Sequence, residues 1–446
     1  MYRRIVGPAL GLALLSSTVL VSSANAAAGM SNLERDELTY SYRQLVSQYY
    51  KQVDTQRALN GARSEVIALL RHDGVKNPAI PAMRATNNVS IDAQDLTRAV
   101  NGVIAKYGTK AGSRQVTYAA IAGLLTSTGD RYTTFLTPKE YAELNTVLDA
   151  PAFGGVGLSI QINEATKELQ VQSVIDGGPA QKVGVEPEDT IVTVDGVPTK
   201  GRSLDNDSKM LRGKPGTVVH LLIVRAGKTL APIAVTRAEI KPPSVTAKLI
   251  NGNIGYARLA VFGATTADEL SAALKKLDAQ GAKAYILDLR DNGGGYLNSA
   301  IDVSSQFIAT GPIVSVAERA GSTRTYDADD VAVAPKPLAV LVNKFTASAS
   351  EITSGAIQDD GAGTIIGTKT FGKGVVQTIF PLPDGSAVKI TTARYLTPNG
   401  RDINHIGITP NIVVDENSDA RFGDPPKDSQ LKTAISVLQQ KIAENE

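Results

Sequence analysis

Apolar residues recur at helical spacing in four segments near the start of the chain: Leu33 to Val53, Arg57 to Arg71, Ile91 to Tyr107 and Tyr118 to Thr126. Each predicts an amphipathic helix. The stretch from Asp73 to Asn88 holds Pro78, Pro81 and several small or polar residues and reads as loop. At Phe153 the pattern changes to short alternating runs broken by glycine. Gly154 to Ile160 leads into one strand, Leu169 to Val174 is a second, and Val218 to Val224 is a later one. Short helices fit after Gly178-Pro179-Ala180 and over Leu204 to Leu211. From Ser244 the pattern alternates strand and helix. The strands are Ile254 to Val261, Ala284 to Leu289 and Pro337 to Val342, then Thr364 to Ile366 and Gly385 to Tyr395. The helices are Thr266 to Gln280, Asn298 to Phe307 and Ala349 to Gln358. Such alternation predicts parallel strands joined by crossover helices. After Asp415 the chain is polar and then ends in a helical segment, Leu431 to Ile442.

These changes of texture divide the chain into a helical region at 27–146, a mostly β domain at 147–240, an α/β core at 241–415 and a tail with a helix at 416–446. A chain of 446 residues is too long for one core, which agrees with such a division. Residues 1–26 differ from all of these. Arg3 and Arg4 precede an apolar run, Ile5 to Val21, interrupted by Gly7, Pro8 and Gly11, and Ala24-Asn25-Ala26 follows. A basic start, a short apolar run and an Ala-x-Ala site predict a secretory signal cut after Ala26. An uncut signal would leave a membrane anchor, although the run is short for a span.

Loss of that segment removes two arginines and no acid, so the formal charge falls from +2 to zero. A neutral chain offers no electrostatic footprint for nucleic acid or an anionic membrane. Cysteine is absent, which excludes a thiol nucleophile, disulfides and thiolate metal sites. The three histidines, His72, His220 and His405, are scattered, so a histidine metal cluster and a histidine base are both unexpected.

Three segments carry candidate chemistry. Ser348-Ala349-Ser350-Glu351 stands between a buried strand and a helix. It fits a capping box, in which Ser348 only caps. A nucleophile would use the same place, because the N–H groups at a helix start favour a developing oxyanion. Local sequence leaves both readings open. Lys373 lies in Gly367-Thr368-Lys369-Thr370-Phe371-Gly372-Lys373-Gly374, close to a phosphate-binding loop. The match fails at Gly374, where a hydroxyl is needed, and again in Val375 to Phe380, which alternates as a strand. Between Phe371, two glycines and two valines, Lys373 is instead placed for burial, which favours the neutral amine a general base requires. A surface lysine on a glycine loop is the other reading. Finally, Leu289-Arg290-Asp291-Asn292-Gly293-Gly294-Gly295 ends a buried strand in three glycines. These suit a tight turn, or a backbone that approaches a ligand closely.

The β domain resembles a PDZ domain in its Gly155-Val156-Gly157-Leu158 loop, its Pro179-Ala180 step and its Val194-Asp195-Gly196 turn. Successive N–H groups in such a loop bind an anion, and the strand after it pairs with an extended peptide. That domain, Ser348, Lys373 and the Leu-Arg-x-Asn-Gly-Gly segment together resemble the C-terminal processing peptidases, or tail-specific proteases. Asp130 to Pro138, Ala393-Arg394-Tyr395 and Gly407 to Asn411 extend the likeness over most of the chain. The resemblance implies a multidomain α+β protein: a helical N-terminal region, a PDZ domain and an α/β, crotonase-like Ser–Lys peptidase core. It implies an exported serine endopeptidase of the periplasm or cell envelope, with no cofactor and no metal. Its substrates would be proteins with free, apolar C-termini. By residue, Ser348 is the nucleophile, Lys373 the base and Gln377 the group that orients it. Gly294 and Ala349 are the backbone oxyanion donors, Asp359 is a supporting acid, and Gly155, Val156, Gly157, Leu158 and Ser159 bind the substrate terminus. The PDZ domain can also gate the site in this family. A homodimer would form on the helical region or the C-terminal helix. The reading from another class is a non-catalytic PDZ adaptor, against which Ser348, Lys373 and Gln377 stand intact.

Overall fold

The computed structural model describes residues 29–149, 152–163, 166–175, 177–319, 321–329, 331–332, 336–416, 423 and 427–444. The signal segment read at 1–26 lies outside them. Backbone contacts separate two units, Met1–Arg43 with Thr55–Ser127, and Gln44–Asp54 with Thr128–Glu446.

The first unit is helical. Its helices are Thr55–His72, Val89–Ala111 and Ser113–Thr126, joined by most of Asn32–Gln48. The Val89–Ala111 helix starts where Asn88 accepts the N–H groups of Ser90 and Ile91 at 3.1 and 3.2 Å, which satisfies donors that a helix start leaves orphaned. Leu59, Val66, Leu70, Leu96, Ile104 and Leu124 fill the core. Thr55–His72 and Ser113–Thr126 meet at Gly61 and Gly123, where each glycine leaves no room for a Cβ against the other's backbone. The first helix stops at Gln48, short of the predicted Val53.

In the second unit, a seven-stranded antiparallel sheet contains Leu158–Ile162, Leu169–Val174, Thr190–Val194 and Val218–Arg225 in that spatial order. Val156, Leu169, Val171, Ile191, Leu221 and Val235 form its core beneath the helix Leu204–Leu211. Leu158–Ile162 lies at the edge of this sheet among the described residues.

The other half is built on a six-stranded sheet. It opens with a hairpin of Val245–Ile250 and Ile254–Leu259, turned by Asn251 and Gly252 at φ 48° and 76°. The parallel strands Ala284–Asp288, Leu338–Val342, Thr364–Gly367 and Ile412–Val413 then follow in chain order. Thr266–Ala279, Leu297–Ser305 and Ala349–Asp360 pack on one face through Leu270, Leu274, Val303 and Ile352. Ser429–Glu444 covers the other through Leu431, Ile435 and Leu438. Strands buried on both sides are continuously apolar, as in Leu338-Ala339-Val340-Leu341-Val342.

One expectation is corrected. The Gly385 to Tyr395 segment does not close this parallel series. Its strand, Ala387–Leu396, pairs antiparallel with Val375–Pro381, Pro312–Glu318 and Thr134–Leu136 in a separate sheet. The tight turn through Gly385, closed by Leu382 N–H to Ser386 O at 2.8 Å, can only return the chain as an antiparallel neighbour.

Candidate active site

Four adjacent parallel strands of the six-stranded sheet end on one side. The chain leaving each contributes to a single cleft of about 590 Å³: Ala260 and Val261 from the first, Gly293–Leu297 from the second, Ser348 and Ala349 from the third, Lys373 from the fourth. Val375–Ile379 and Lys389 of the antiparallel sheet complete the wall, with Leu144, Val147 and Leu148 from the helix Pro138–Asp149. Ligands of α/β sheets gather at the carboxyl ends of strands for this geometric reason.

Ser348 has φ 57° and ψ −118°. A side chain there costs about 1–3 kcal/mol and persists only where its surroundings hold it. It is the strand-to-helix turn that pushes a serine hydroxyl out of the fold. Both readings of Ser348 hold here. Glu351, on the next turn, accepts the Ser348 N–H at 3.0 Å and completes a capping box with the serine, and Ser348 also lines the cleft.

Glu351 does more than cap. Its Oε2 also accepts the Lys373 N–H at 2.8 Å, and its Oε1 accepts Gly372 N–H at 2.7 Å and Thr370 Oγ1 at 2.5 Å. One buried carboxylate therefore fixes the backbones of both Ser348 and Lys373. Burial pushes its pKa up, against the pull of those four donors. The buried Tyr395 hydroxyl makes the same link from the other side, donating toward Lys373 O at 2.6 Å and Ser348 O at 3.2 Å. Sequence reasoning gave neither residue this part; the Glu351 position in the capping box was its only local signal.

The Lys373 amine lies 5.1 Å from the centre of the Tyr132 ring. Desolvation, with the charge of Lys389 next, holds its pKa down to about 8, against Glu351 and Asp130, which favour the ammonium. Gln377 lines the same cleft, and its Nε2 donates to Val375 O at 3.3 Å. The Gly367–Gly374 run leads into the strand Val375–Pro381, so no helix start is present there to hold a phosphate.

The glycine segment packs directly on the serine turn. A Cβ at Gly294, where φ is 99°, would fall 2.8 Å from Ala347 O, Ala349 N and Ser348 Cβ. Asn292 bolts the two loops together, its carbonyl accepting Ala347 N–H and Ser350 Oγ, each at 3.0 Å. Its side chain accepts the Gly294 N–H at 2.9 Å. The Ala349 N–H, at the helix start, meets no acceptor among the described residues. Arg290 is buried between Asp288 and Asp428, with contacts of 2.6 to 2.9 Å, and ties the strand end to the C-terminal helix. Asp359 does not join the cleft. It sits at the far end of the Ser348 helix, accepts Asn399 N–H at 2.9 Å and pairs with Arg401, so it holds the Thr397–Arg401 turn.

A second groove, of about 330 Å³, runs between the edge strand Leu158–Ile162 and the helix Leu204–Leu211. Gly155, Val156, Gly157, Leu158 and Ser159 line it with Ser208, Leu211 and Ile240, and Gly157 turns the loop at φ 77°.

Residues 253–414 match the family model of peptidase family S41, and residues 170–225 match a PDZ domain. A carboxyl-terminal-processing protease of Synechocystis is 38% identical over 333 residues, covering 73% of this chain and 78% of its own. The carboxy-terminal processing protease CtpA of Bacillus subtilis is 33% identical over 369 residues, 82% of this chain and 78% of its own. A solved Bacteroides fragilis structure carrying the S41 protease description aligns over 90% of this chain and 97% of its own, at 15% identity and a TM-score of 0.51, and so shares the fold. The catalytic-type strand ends, the groove-bearing β domain and these likenesses agree: the chain belongs to peptidase family S41, with the carboxyl-terminal-processing proteases.

Proposed function

We propose that the protein is an exported serine endopeptidase that cleaves protein substrates near their C-termini through a Ser348–Lys373 dyad. The observation that carries this reading is the strained Ser348 turn, which shares a cleft with a lysine whose pKa is held down to about 8. Neutral Lys373 takes the Ser348 proton as Oγ attacks the substrate carbonyl. The lysine then returns that proton to the leaving amine, and water resolves the acyl-enzyme with the same base. Ala349 N–H is available to the oxyanion, while Gly294 N–H has to leave Asn292 to donate beside it. Gln377 orients Lys373 only after turning from Val375 O.

The groove at Gly155–Ser159 takes the substrate's terminal carboxylate on backbone N–H groups, and the Leu158–Ile162 edge pairs with the extended tail. Its lining by Val156, Leu158, Leu211 and Ile240 favours an apolar end. Residues 1–26 serve as the export signal to the periplasm or cell envelope, tethering the enzyme to the membrane only if uncut. The domains run 27–146, 147–240, 241–415 and 416–446. Homodimers form through the helical region or the C-terminal helix. No observation favours a non-catalytic adaptor.

The test is cleavage of an unfolded polypeptide with a free apolar tail, and of the same polypeptide amidated at its terminus. The parent cleaves the free tail faster, and Ser348→Ala and Lys373→Ala cleave neither. Either variant cleaving at the parent rate overturns the dyad; equal rates on both tails overturn the groove's role.

A further inference from the structure

The cleft contains a second lysine. Lys389 stands in the middle of the strand Ala387–Leu396, paired with Ile379 on one side and Thr134 on the other. It is only partly exposed, and it lines the cleft together with Ser348, Lys373 and Gln377. A lysine in the centre of a well-paired strand, with its stem turned to a catalytic cleft, is an expensive choice unless its charge is used. We infer that Lys389 is a positioning residue for the Ser348–Lys373 pair: its ammonium, held charged by Asp130, makes Lys373 the lysine that gives up its proton. This rests on the dyad reading.

The arrangement of charges gives the argument. Asp130 is fixed by Thr391 Oγ1 at 2.5 Å, Thr133 Oγ1 at 2.8 Å and the Tyr132 N–H at 3.0 Å. Thr391 is two residues beyond Lys389, so both side chains leave the same face of the strand, and the carboxylate is brought to the Lys389 side. The remaining groups around the two amines are already engaged. Glu351, from the serine helix, has both oxygens filled by Ser348, Lys373, Gly372 and Thr370. Arg131 lies over the rings of Tyr132 and Phe371 at 4.8 and 5.0 Å. Tyr395, on the Lys389 strand, is turned to backbone carbonyls.

Two ammonium groups in one desolvated cleft cannot both stay charged at low cost. Like-charge activation of a catalytic lysine is an established route to a neutral amine at working pH. Burial and then the Lys389 charge push Lys373 down, against Glu351 and Asp130, while burial also pushes Lys389 down, against Asp130.

The experiment compares the pH profile of kcat/KM for the full-length protein with Lys389→Met and Lys389→Arg, using one peptide substrate. In the parent, activity rises with pH through the Lys373 ionisation. Lys389→Met should move that inflection to higher pH by at least about half a unit, which leaves about threefold less neutral Lys373 at any pH below it. Lys389→Arg, whose charge is permanent, should keep the inflection at or below the parent's. An unmoved inflection in Lys389→Met, or equal upward shifts in both variants, overturns the inference. Competitive acetylation of Lys373 against pH, read by peptide mass spectrometry, gives the same ionisation without turnover if a variant is inactive. Failure of the dyad itself looks different, because Lys373→Ala would then retain the parent profile.

Discussion

Replacing Glu351 with glutamine tests whether one carboxylate aligns the nucleophile and the base. The substitution is nearly isosteric but exchanges one acceptor oxygen for an NH2 donor. If the amide nitrogen took the Oε2 position it would face the N–H groups of Ser348 and Lys373, now 3.0 and 2.8 Å from oxygen. In the other orientation it faces Gly372 N–H and Thr370 Oγ1. The threonine could turn, although its oxygen already accepts Ile408 N–H at 2.7 Å. Gly372 N–H would be stranded in this second orientation, and two N–H groups in the first. A buried donor left without a partner costs about 1–3 kcal/mol. The two surviving bonds change from charge-assisted to neutral and lose roughly half their strength. Relief of the buried charge, which burial already makes unfavourable at Glu351, offsets part of this. A net loss of roughly 1.4–4 kcal/mol, expressed as misplacement of Ser348 and Lys373, lowers kcat/KM by about 10- to 10³-fold. Initial rates on a tail-bearing peptide measure it, with far-ultraviolet circular dichroism to show that the variant is folded. A folded Glu351→Gln enzyme within about twofold of the parent would refute the reasoning, since that difference is under 0.5 kcal/mol.

Ser348→Gly should be more stable than Ser348→Ala by about 1–2 kcal/mol, because only glycine relieves the φ of 57°; equal midpoints in parallel thermal melts would count against strain at this turn. Lys373→Met should be inactive yet more stable than the parent at pH 7. The folded pKa of about 8 lies below the 10.5 of a free lysine, so the folded state binds fewer protons than the unfolded between those values. Parent stability therefore rises with pH across that window, and the variant's advantage, on the order of 1–3 kcal/mol, is full below pH 8 and shrinks above it. A variant less stable than the parent at pH 7 would contradict the burial argument.

Much of the architecture was legible because burial leaves a period in the chain. The five-residue apolar run at Leu338–Val342 could only be a doubly covered strand, and the helix at Ala349–Asp360 followed from its start signal. The helix Pro138–Asp149 escaped because it fully buries no side chain and so carries no clear stripe, although Thr137 and Glu140 form its capping box. The hairpin Pro312–Glu318 and Thr323–Asp327 escaped too, its second strand being largely exposed and polar. Alternation marked Ala387–Leu396 as a strand but could not say to which sheet it belonged, since pairing is decided by partners distant in sequence. In the site, Ser348, Lys373 and the glycine turn each had a plain local reading as well, and stood out through the family resemblance that joins them. Glu351, Tyr395 and Lys389 obey local rules: a cap, a core aromatic and a strand lysine. Their significance comes only from what tertiary folding sets beside them.

The most direct measurement of the central claim is the rate at which a serine-directed fluorophosphonate labels Ser348, followed against pH and mapped by peptide mass spectrometry. The dyad predicts labelling at Ser348 that rises with pH through an inflection near 8, the value to which burial holds Lys373, and that Lys373→Met abolishes. Labelling that is independent of pH, or that proceeds as fast in Lys373→Met as in the parent, would contradict it.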